Sequence, residues 1–249
     1  MDREIPFKID IVGRGNVGSH LAKAFEGKHD VKVIDARTLE ALRPDSELYL
    51  ISVPDRAIRE VALHIKEKLP ENAPCIVAHT SGTTGMDVLE GMGVNHGVLY
   101  PLQTFSKDVP IEDYSHIPFL IEGDGEKTES TLTRIARSVS NTVLRMDSGK
   151  RRKLHVAAVF ACNFTNHLWA LADGYMEREG MDFTLLKPLI AETTRKMMEL
   201  RHPGEGQTGP AVRRDEETMR KHETMLEKDQ AMLELYRKLS ESIMNINKL

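Results

Sequence analysis

Short apolar and β-branched runs alternate with amphipathic stretches over residues 1–149. The runs predict strands at 8–12, 31–34, 47–51, 74–78, 94–99, 118–121 and 142–144. The stretches between them predict helices over 16–26, 55–68 and 125–140. Residues 101–116 contain prolines and show no period, so we expect a loop that can line a site. This alternation favours an α/β fold with a doubly wound, mostly parallel sheet.

From residue 150 onward the strand signals stop. Residues 150–173 predict a helix that is apolar on most faces, and such a helix is expected to be buried. A second helix is predicted over 184–200, and a glycine- and proline-rich loop over 202–210. One long amphipathic helix, or two in series, follows from about 215. The pattern therefore predicts a second, all-α domain over 150–249.

Residues 13–18 read G-R-G-N-V-G and lie between the first predicted strand and the first predicted helix. In this context Gly13 permits a tight turn, Gly15 admits a pyrophosphate to the backbone amides, and Gly18 allows helix and strand to pack closely. The sequence thus predicts a Rossmann-type dinucleotide-binding domain over 1–149. The cofactor-binding residues in this turn are Gly13, Gly15, Asn16, Val17 and Gly18. The alternative is a glycine-rich turn without a ligand.

Asp35 ends the second predicted strand, where an acid can hydrogen-bond the ribose hydroxyls of the cofactor. A carboxylate there repels a 2′-phosphate and favours NAD, whereas Arg14 and Arg37 can attract one. The cofactor is therefore NAD or NADP, and Asp35 favours NAD.

Ligands of doubly wound folds bind at the carboxyl ends of the strands. The third predicted strand leads into Ser52, Val53 and Pro54, and the fourth into Thr80 and Ser81. We expect these five residues to line the cofactor.

His79 and Tyr100 occupy corresponding places on the fourth and fifth strands, and we expect them to bind the substrate. For residues 79–82 the alternative is a turn whose polar groups satisfy one another.

Polar residues interrupt the apolar helix of the second half. At 100° per residue, His155, Asn163, Asn166 and His167 fall on one side of it. Because buried polar groups need partners, this side is expected to face a site, with His155 as the acid/base and the two asparagines as catalytic anchors. The alternative is a set of groups satisfied by backbone, or a polar seam at a dimer interface.

A second polar cluster follows the glycine-rich loop. Arg213 can bind an anionic group of the substrate, and Asp215 and His222 are further catalytic candidates on one helical stripe with Thr218. The alternative makes Asp215 a helix N-cap and leaves His222 in solvent.

Composition narrows the class of partner. Lys and Arg number 34 and Asp and Glu 38, which gives a net charge of −4. The sequence therefore lacks the excess of basic residues that is typical of proteins that bind nucleic acid or an anionic membrane. The basic run 150–153 is interpreted as a solvated helix start. Two distant cysteines indicate a reducing compartment, and no run approaches the ~18 apolar residues of a membrane span. We therefore expect a cytoplasmic protein without a metal site.

The glycine turn, the segment 52–55 and the all-helical second half resemble the pyrroline-5-carboxylate reductase and 6-phosphogluconate dehydrogenase-like superfamily. The chain is most similar to its bacterial members whose C-terminal helical domain is a domain of unknown function. That closer resemblance is carried by the segments 79–82, 100–105, 155–163, 188–193 and 209–222.

The resemblance implies a nicotinamide-dependent reductase or dehydrogenase that dimerises through the helical domain. Hydroxyacid dehydrogenases of this superfamily carry a catalytic Lys four residues before an Asn, but here Val159 and Cys162 precede Asn163 and Asn166 by four. We therefore expect hydride transfer to or from a small carbonyl or imine substrate, with His155 replacing the lysine. The alternative is a non-catalytic NAD(P)(H)-binding sensor or interaction protein.

Overall fold

The first half of the chain folds around a sheet whose strand order is β2-β1-β3-β4-β5-β6-β7 in the computed structural model, which describes residues 5–246. The strands are β1 Lys8–Val12, β2 Asp30–Ile34, β3 Leu48–Ile51, β4 Ile76–His79, β5 Asn95–Pro101, β6 Phe119–Gly123 and β7 Val143–Arg145. Strands β1 to β5 are parallel, β6 runs antiparallel to β5, and β7 is parallel to β6. The prediction of a doubly wound, mostly parallel sheet is confirmed.

Helices cover both faces of this sheet. They are α1 Asn16–Phe25, α2 Ile58–Lys68, which follows a 3₁₀ turn at Asp55–Ala57, and α3 Glu126–Arg137. Leu21 of α1 and Leu132 of α3 share one buried cluster with Ile9, whereas Ile65 of α2 packs with Tyr49 in a second cluster. Each helix buries only the stripe that faces the sheet, as expected for amphipathic helices.

The predicted apolar helix extends further than expected and contains an irregular segment. It comprises α4 Ser148–Ala158, a π-helical segment Val159–Phe164 and α5 Thr165–Arg178. Because a π turn closes i→i+5 hydrogen bonds, its residues turn by less than the 100° of an α-helix. The 100° per residue assumed for the predicted helix therefore does not apply across 159–164.

The single chain by itself buries little of this helix. Val156 is 56% exposed and Trp169 is 38% exposed, and the only buried residue of α4 is Arg151. The physical reason is that apolar residues surround the helix, whereas neighbouring elements of one chain cover only part of its circumference.

The described residues divide into two compact units, one up to Cys162 and the other from Asn163 onward. The second unit is all helical, as predicted. After α5 it contains α6 Lys187–Glu199, α7 Pro210–Arg213, α8 Glu216–Leu226 and α9 Gln230–Ile246. Its final part is thus two helices in series, one of the two alternatives left open by the sequence. Within residues 5–246 no helix is both long and apolar enough to cross a membrane.

Candidate functional site

The glycine turn has the geometry of a cradle for a ligand. Gly13 has φ +127°, and a Cβ there would lie 2.1 Å from the carbonyl oxygen of Ser52. A Cβ on Gly18 would lie 2.3 Å from the carbonyl oxygen of Gly13. A Cβ on Gly15, by contrast, would have no described atom within 4 Å. Gly13 and Gly18 are therefore required by the protein's own packing, whereas Gly15 borders open space.

Helix α1 begins at this open space, and no described side chain caps its first backbone amides. Gly15 is the N-cap of α1, and within the described chain no side chain hydrogen-bonds the free amides there. The first turn of α1 also contains no acidic residue. Free amides and the positive end of the helix dipole favour an anion such as a pyrophosphate, so the turn fits a dinucleotide.

Two adjoining cavities extend from the turn. One of about 390 Å³ is lined by Gly13, Arg14, Asp35 and Arg37, and the other, of about 490 Å³, by Asn16, Val17, Thr80, Ser81, Tyr100 and His155. Gly15, Ser52, Val53 and Pro54 border both. Every residue that the sequence assigned to the cofactor, except Gly18 beneath the turn, thus lines one of the two cavities.

Charges in the smaller cavity are arranged around Asp35. Arg37 donates its backbone N–H to Asp35 Oδ1 at 2.9 Å, and Arg14 Nη1 lies 3.7 Å from Asp35 Oδ2. Both arginines are exposed and free to reorient. The carboxylate that favoured NAD therefore has the Arg14 guanidinium beside it, and Arg37 lines the same cavity.

His79 does not line either cavity. It is fully buried, Nδ1 accepts the backbone N–H of Ser81 at 3.1 Å, and Nε2 lies 3.3 Å from the carbonyl oxygen of Gly85. Burial and the charge of Arg151 lower the pKa of His79 to about 4, so the ring is neutral with its proton on Nε2. We therefore assign His79 to fixing the 79–85 turn rather than to substrate contact, which is the alternative of a satisfied turn.

Tyr100 and His155 form a hydrogen-bonded pair at the larger cavity. The Tyr100 hydroxyl lies 3.0 Å from His155 Nδ1, and the two rings meet edge to face. Burial raises the pKa of Tyr100, so the phenol remains protonated and is able to donate to Nδ1. In the tautomer that accepts this bond at Nδ1, the second ring nitrogen, Nε2, carries the proton.

Gly82 makes this pair possible. A Cβ at Gly82 would lie 2.4 Å from His155 Nδ1 and 2.9 Å from Tyr100 Cζ. The two side chains therefore meet directly against the backbone of the 79–85 turn.

Asn16 and the loop after β5 close the turn on another side. The Asn16 side chain donates to the carbonyl oxygen of Phe105 at 3.1 Å. His20 of α1 contacts the carbonyl oxygen of Ser106 at 2.9 Å and the hydroxyl of Tyr114 at 3.0 Å. The predicted loop over 101–116 is confirmed from residue 102 onward, since Pro101 is the last residue of β5, and the loop contributes Gln103 to the larger cavity.

The remaining predicted catalytic residues belong to the second unit. Asn163 and Asn166 are exposed in the single chain, and their role as catalytic anchors stays a prediction. Asp215 is the N-cap of α8, accepting from Thr218 N at 3.1 Å and from Thr218 Oγ1 at 2.8 Å.

His222 and Arg213 differ in their surroundings. His222 is half-buried, and its Nδ1 lies 3.0 Å from the hydroxyl of Tyr236, so it is not simply solvated. Arg213 is exposed. The N-cap alternative therefore describes Asp215, and no contact of these residues assigns them to catalysis.

The site residues named from the sequence omit several lining residues, of which Gly82 and Gln103 lie in segments expected to line a site, and one buried cation. Gly82, Thr83, Asp55 and Gln103 line the larger cavity, and the Asp55 carboxylate accepts a hydrogen bond from the Thr83 hydroxyl. Arg151, in the basic run interpreted as solvated, is fully buried. Its i, i+4 spacing from His155 was the available signal. Among residues 5–246 no cluster of side chains is suited to a metal ion.

Solved structures of other proteins share this fold, whereas no curated protein matches the chain. A solved structure from Bacteroides fragilis, described as a candidate NADP oxidoreductase, is 39% identical, covers 96% of this chain and 98% of that one, and superposes with a TM-score of 0.89.

Two more distant structures share the fold. A reductive aminase from Aspergillus terreus, in complex with NADPH and ethyl levulinate, is 16% identical over 97% of this chain and 94% of that one, with a TM-score of 0.68. An imine reductase from Streptomyces aurantiacus is 12% identical over 95% of both chains, with a TM-score of 0.60.

Two findings support the family assignment: a family model that matches the second half of the chain, and the 39% identity with the Bacteroides protein over 96% of the chain. The model of a domain of unknown function, DUF2520, matches residues 117–243. The predicted resemblance to proteins with a helical domain of unknown function is thereby confirmed. The chain is a Rossmann-like member of the DUF2520 family.

Proposed function

We propose that the protein is an NADP(H)-dependent oxidoreductase that acts on a small carbonyl or imine substrate. The observation that carries the proposal is the position of the Tyr100–His155 pair, which lines the same cavity as the glycine turn and the ends of β3 and β4. Dinucleotide and substrate can therefore meet at the carboxyl edge of the sheet.

The chain's own residues have distinct tasks in this proposal. The amides at Gly15 and Asn16 bind the pyrophosphate, and Ser52 to Pro54 border the passage between the two cavities. A bound nicotinamide supplies or accepts the hydride. His155 holds the exchangeable proton on Nε2, and Tyr100 fixes the ring orientation and tautomer by donating to Nδ1.

We propose NADP(H) rather than the NAD that Asp35 alone favoured. Arg14 and Arg37 lie beside Asp35 on an exposed edge, where guanidinium groups can pair with a 2′-phosphate. The 39%-identical relative described as a candidate NADP oxidoreductase points the same way. The expectation of NAD is therefore withdrawn.

A homodimer formed by the helical unit is part of the proposal. In the described part of that unit the buried apolar side chains are Met176, Ala211, Leu226 and Leu233, which is a small core for so many helices. Exposed apolar residues include Leu185, Leu189, Met197 and Met198. Large exposed apolar surfaces are typical of interfaces, so a second copy is the proposed cover. Kinship with the pyrroline-5-carboxylate reductase superfamily, whose members dimerise in this way, remains part of the same proposal.

Turnover separates the proposed enzyme from the sensor alternative. Oxidation of NADPH should be measured with a panel of ketones, aldehydes and cyclic imines, for wild type and His155→Ala. We expect turnover by the wild type and a loss of roughly 10²–10⁴-fold in kcat for the variant, as for a lost general acid. NADPH binding with no turnover on any panel member would favour the sensor.

A further inference from the structure

One stripe of α4 lies on one face of two adjacent strands. In β5 and β6 the alternate residues Tyr100 and Glu122 point to the same face as the buried pair Val98 and Leu120. Arg151 of α4 pairs with Glu122, and His155, one turn later, bonds Tyr100. The polar contacts that hold α4 to the sheet are therefore the neighbours of the proposed catalytic pair.

The Glu122 carboxylate accepts three hydrogen bonds from residues of α4. Besides the Arg151 guanidinium, it accepts the backbone N–H of Ser148 at 2.9 Å and the Ser148 hydroxyl at 2.6 Å. Three donors on one carboxylate fix both the start of α4 and its rotation about its own axis.

The same guanidinium also holds the turn that lines the cavity. Arg151 Nη2 donates to the carbonyl oxygen of Thr84 at 2.6 Å and to Ser148 Oγ at 3.1 Å. Ser148 Oγ in turn accepts the backbone N–H of Met86 at 3.0 Å. Arg151 is thus bonded at once to β6, to α4 and to the turn that contains Gly82.

We propose that Arg151 is a positioning residue for the proton-transferring pair, because it fixes α4 and the 79–85 turn to each other so that His155 meets Tyr100 over Gly82. The proposal rests on the proposed function, in which His155 carries the proton. The guanidinium bonds Glu122 and Thr84 from two different nitrogens, Nη1 and Nη2, whereas an ammonium would have to reach both acceptors from a single atom. The side chain is completely buried, and among the described residues its Nε has no hydrogen-bond partner. Burying a cation with one unsatisfied N–H donor costs free energy, and a buried ion pair is often no more stabilising than apolar side chains of similar size. A gain in fold stability is therefore a weak explanation for Arg151 at this position.

Arg151→Lys is the variant that tests this inference. It keeps the charge beside Glu122 but loses the second bond to Thr84. We expect kcat for the best panel substrate to fall roughly tenfold or more, since small misplacements of reacting groups are costly, with the affinity for NADPH unchanged. We also expect the ¹⁵N resonance of His155 Nδ1 to move toward its value in Tyr100→Phe, which lacks the hydrogen bond.

Arg43→Lys is the matched control. Arg43 makes the same kind of forked contact at the amino end of β1 and β2, with Nε 2.6 Å from Asp10 Oδ1 and Nη1 2.8 Å from Asp30 Oδ1. Its replacement should lower the melting temperature without changing kcat or the His155 resonance.

The outcomes separate the two proposals. A His155 resonance in Arg151→Lys identical to wild type overturns the positioning role, whatever happens to kcat. A shifted resonance with unchanged kcat supports the positioning role and contradicts proton transfer by His155. If the wild type reduces no substrate, the proposed function fails, and the resonance still decides the role of Arg151.

Discussion

Replacing Gly82 by alanine perturbs the proposed catalytic pair with a single methyl group. The new Cβ would lie 2.4 Å from His155 Nδ1 and 2.9 Å from Tyr100 Cζ. Ordinary non-bonded separations are about 3.5 Å or more, so His155 must retreat by about 1 Å. Gly82 does not have a positive φ, so strain in the backbone does not contribute to the effect.

The expected effect is large on catalysis and modest on stability. Displacing a reacting group by about 1 Å can cost roughly 10²-fold in rate, and we expect kcat to fall by about that factor. Overpacking a well-packed site typically costs roughly 1–3 kcal/mol of unfolding free energy, which the fold should survive.

The assay compares Gly82→Ala with Gly125→Ala. Gly125 precedes α3 in an extended conformation, and a Cβ there meets no described atom within 4 Å. Its variant should keep full activity and lose at most about 1 kcal/mol of stability, because alanine is a poorer helix N-cap than glycine. NADPH oxidation and thermal unfolding are measured for both. Wild-type kcat in a folded Gly82→Ala protein would refute the reasoning, because the pair could then not be the reacting group.

Three further predictions concern cofactor choice, acid stability and assembly. Replacing Arg14 and Arg37 together by alanine should weaken NADPH binding while NADH binding is unchanged, as measured by calorimetry; equal losses for both cofactors would exclude a 2′-phosphate contact. His79 has a folded pKa of about 4 against an ordinary 6.5, so only the unfolded chain binds its proton between these values. Its contribution to stability is therefore present above pH 6.5 and is lost as pH falls toward 4, by about 3 kcal/mol, and chemical denaturation of His79→Gln should show a smaller loss over that window. Light scattering at micromolar concentration should give the mass of a dimer, and a monomeric mass would contradict the proposed cover of the helical unit.

The α/β half could be predicted from the sequence because local signals and tertiary structure agree there. Alternating apolar runs predicted all seven strands. The glycine turn could be recognised from the sequence because Gly13 and Gly18 are required by close backbone contacts that the short strand–turn–helix segment itself creates.

The rest of the site depends on contacts between residues far apart in the chain. Arg151 looks like a surface cation in sequence; its i, i+4 spacing from His155 places it on the side of the proposed site, but its burial depends on the contact with Glu122 of β6. The π-helical segment after α4 has no signature in the hydrophobic pattern, so the departure from 100° per residue at 159–164 could not be foreseen. His79 was predicted to bind the substrate because it follows a strand, but its two ring nitrogens contact backbone groups of its own turn.

Calorimetric titration of NADPH into wild type and Gly15→Val tests the central claim most directly. A Cβ at Gly15 would have no described atom within 4 Å, so the variant should fold normally. The valine side chain would occupy the space above the start of α1 that the pyrophosphate needs. We predict saturable binding to the wild type and none to the folded variant. Equal affinities for the two proteins would contradict the assignment of this crevice to the dinucleotide.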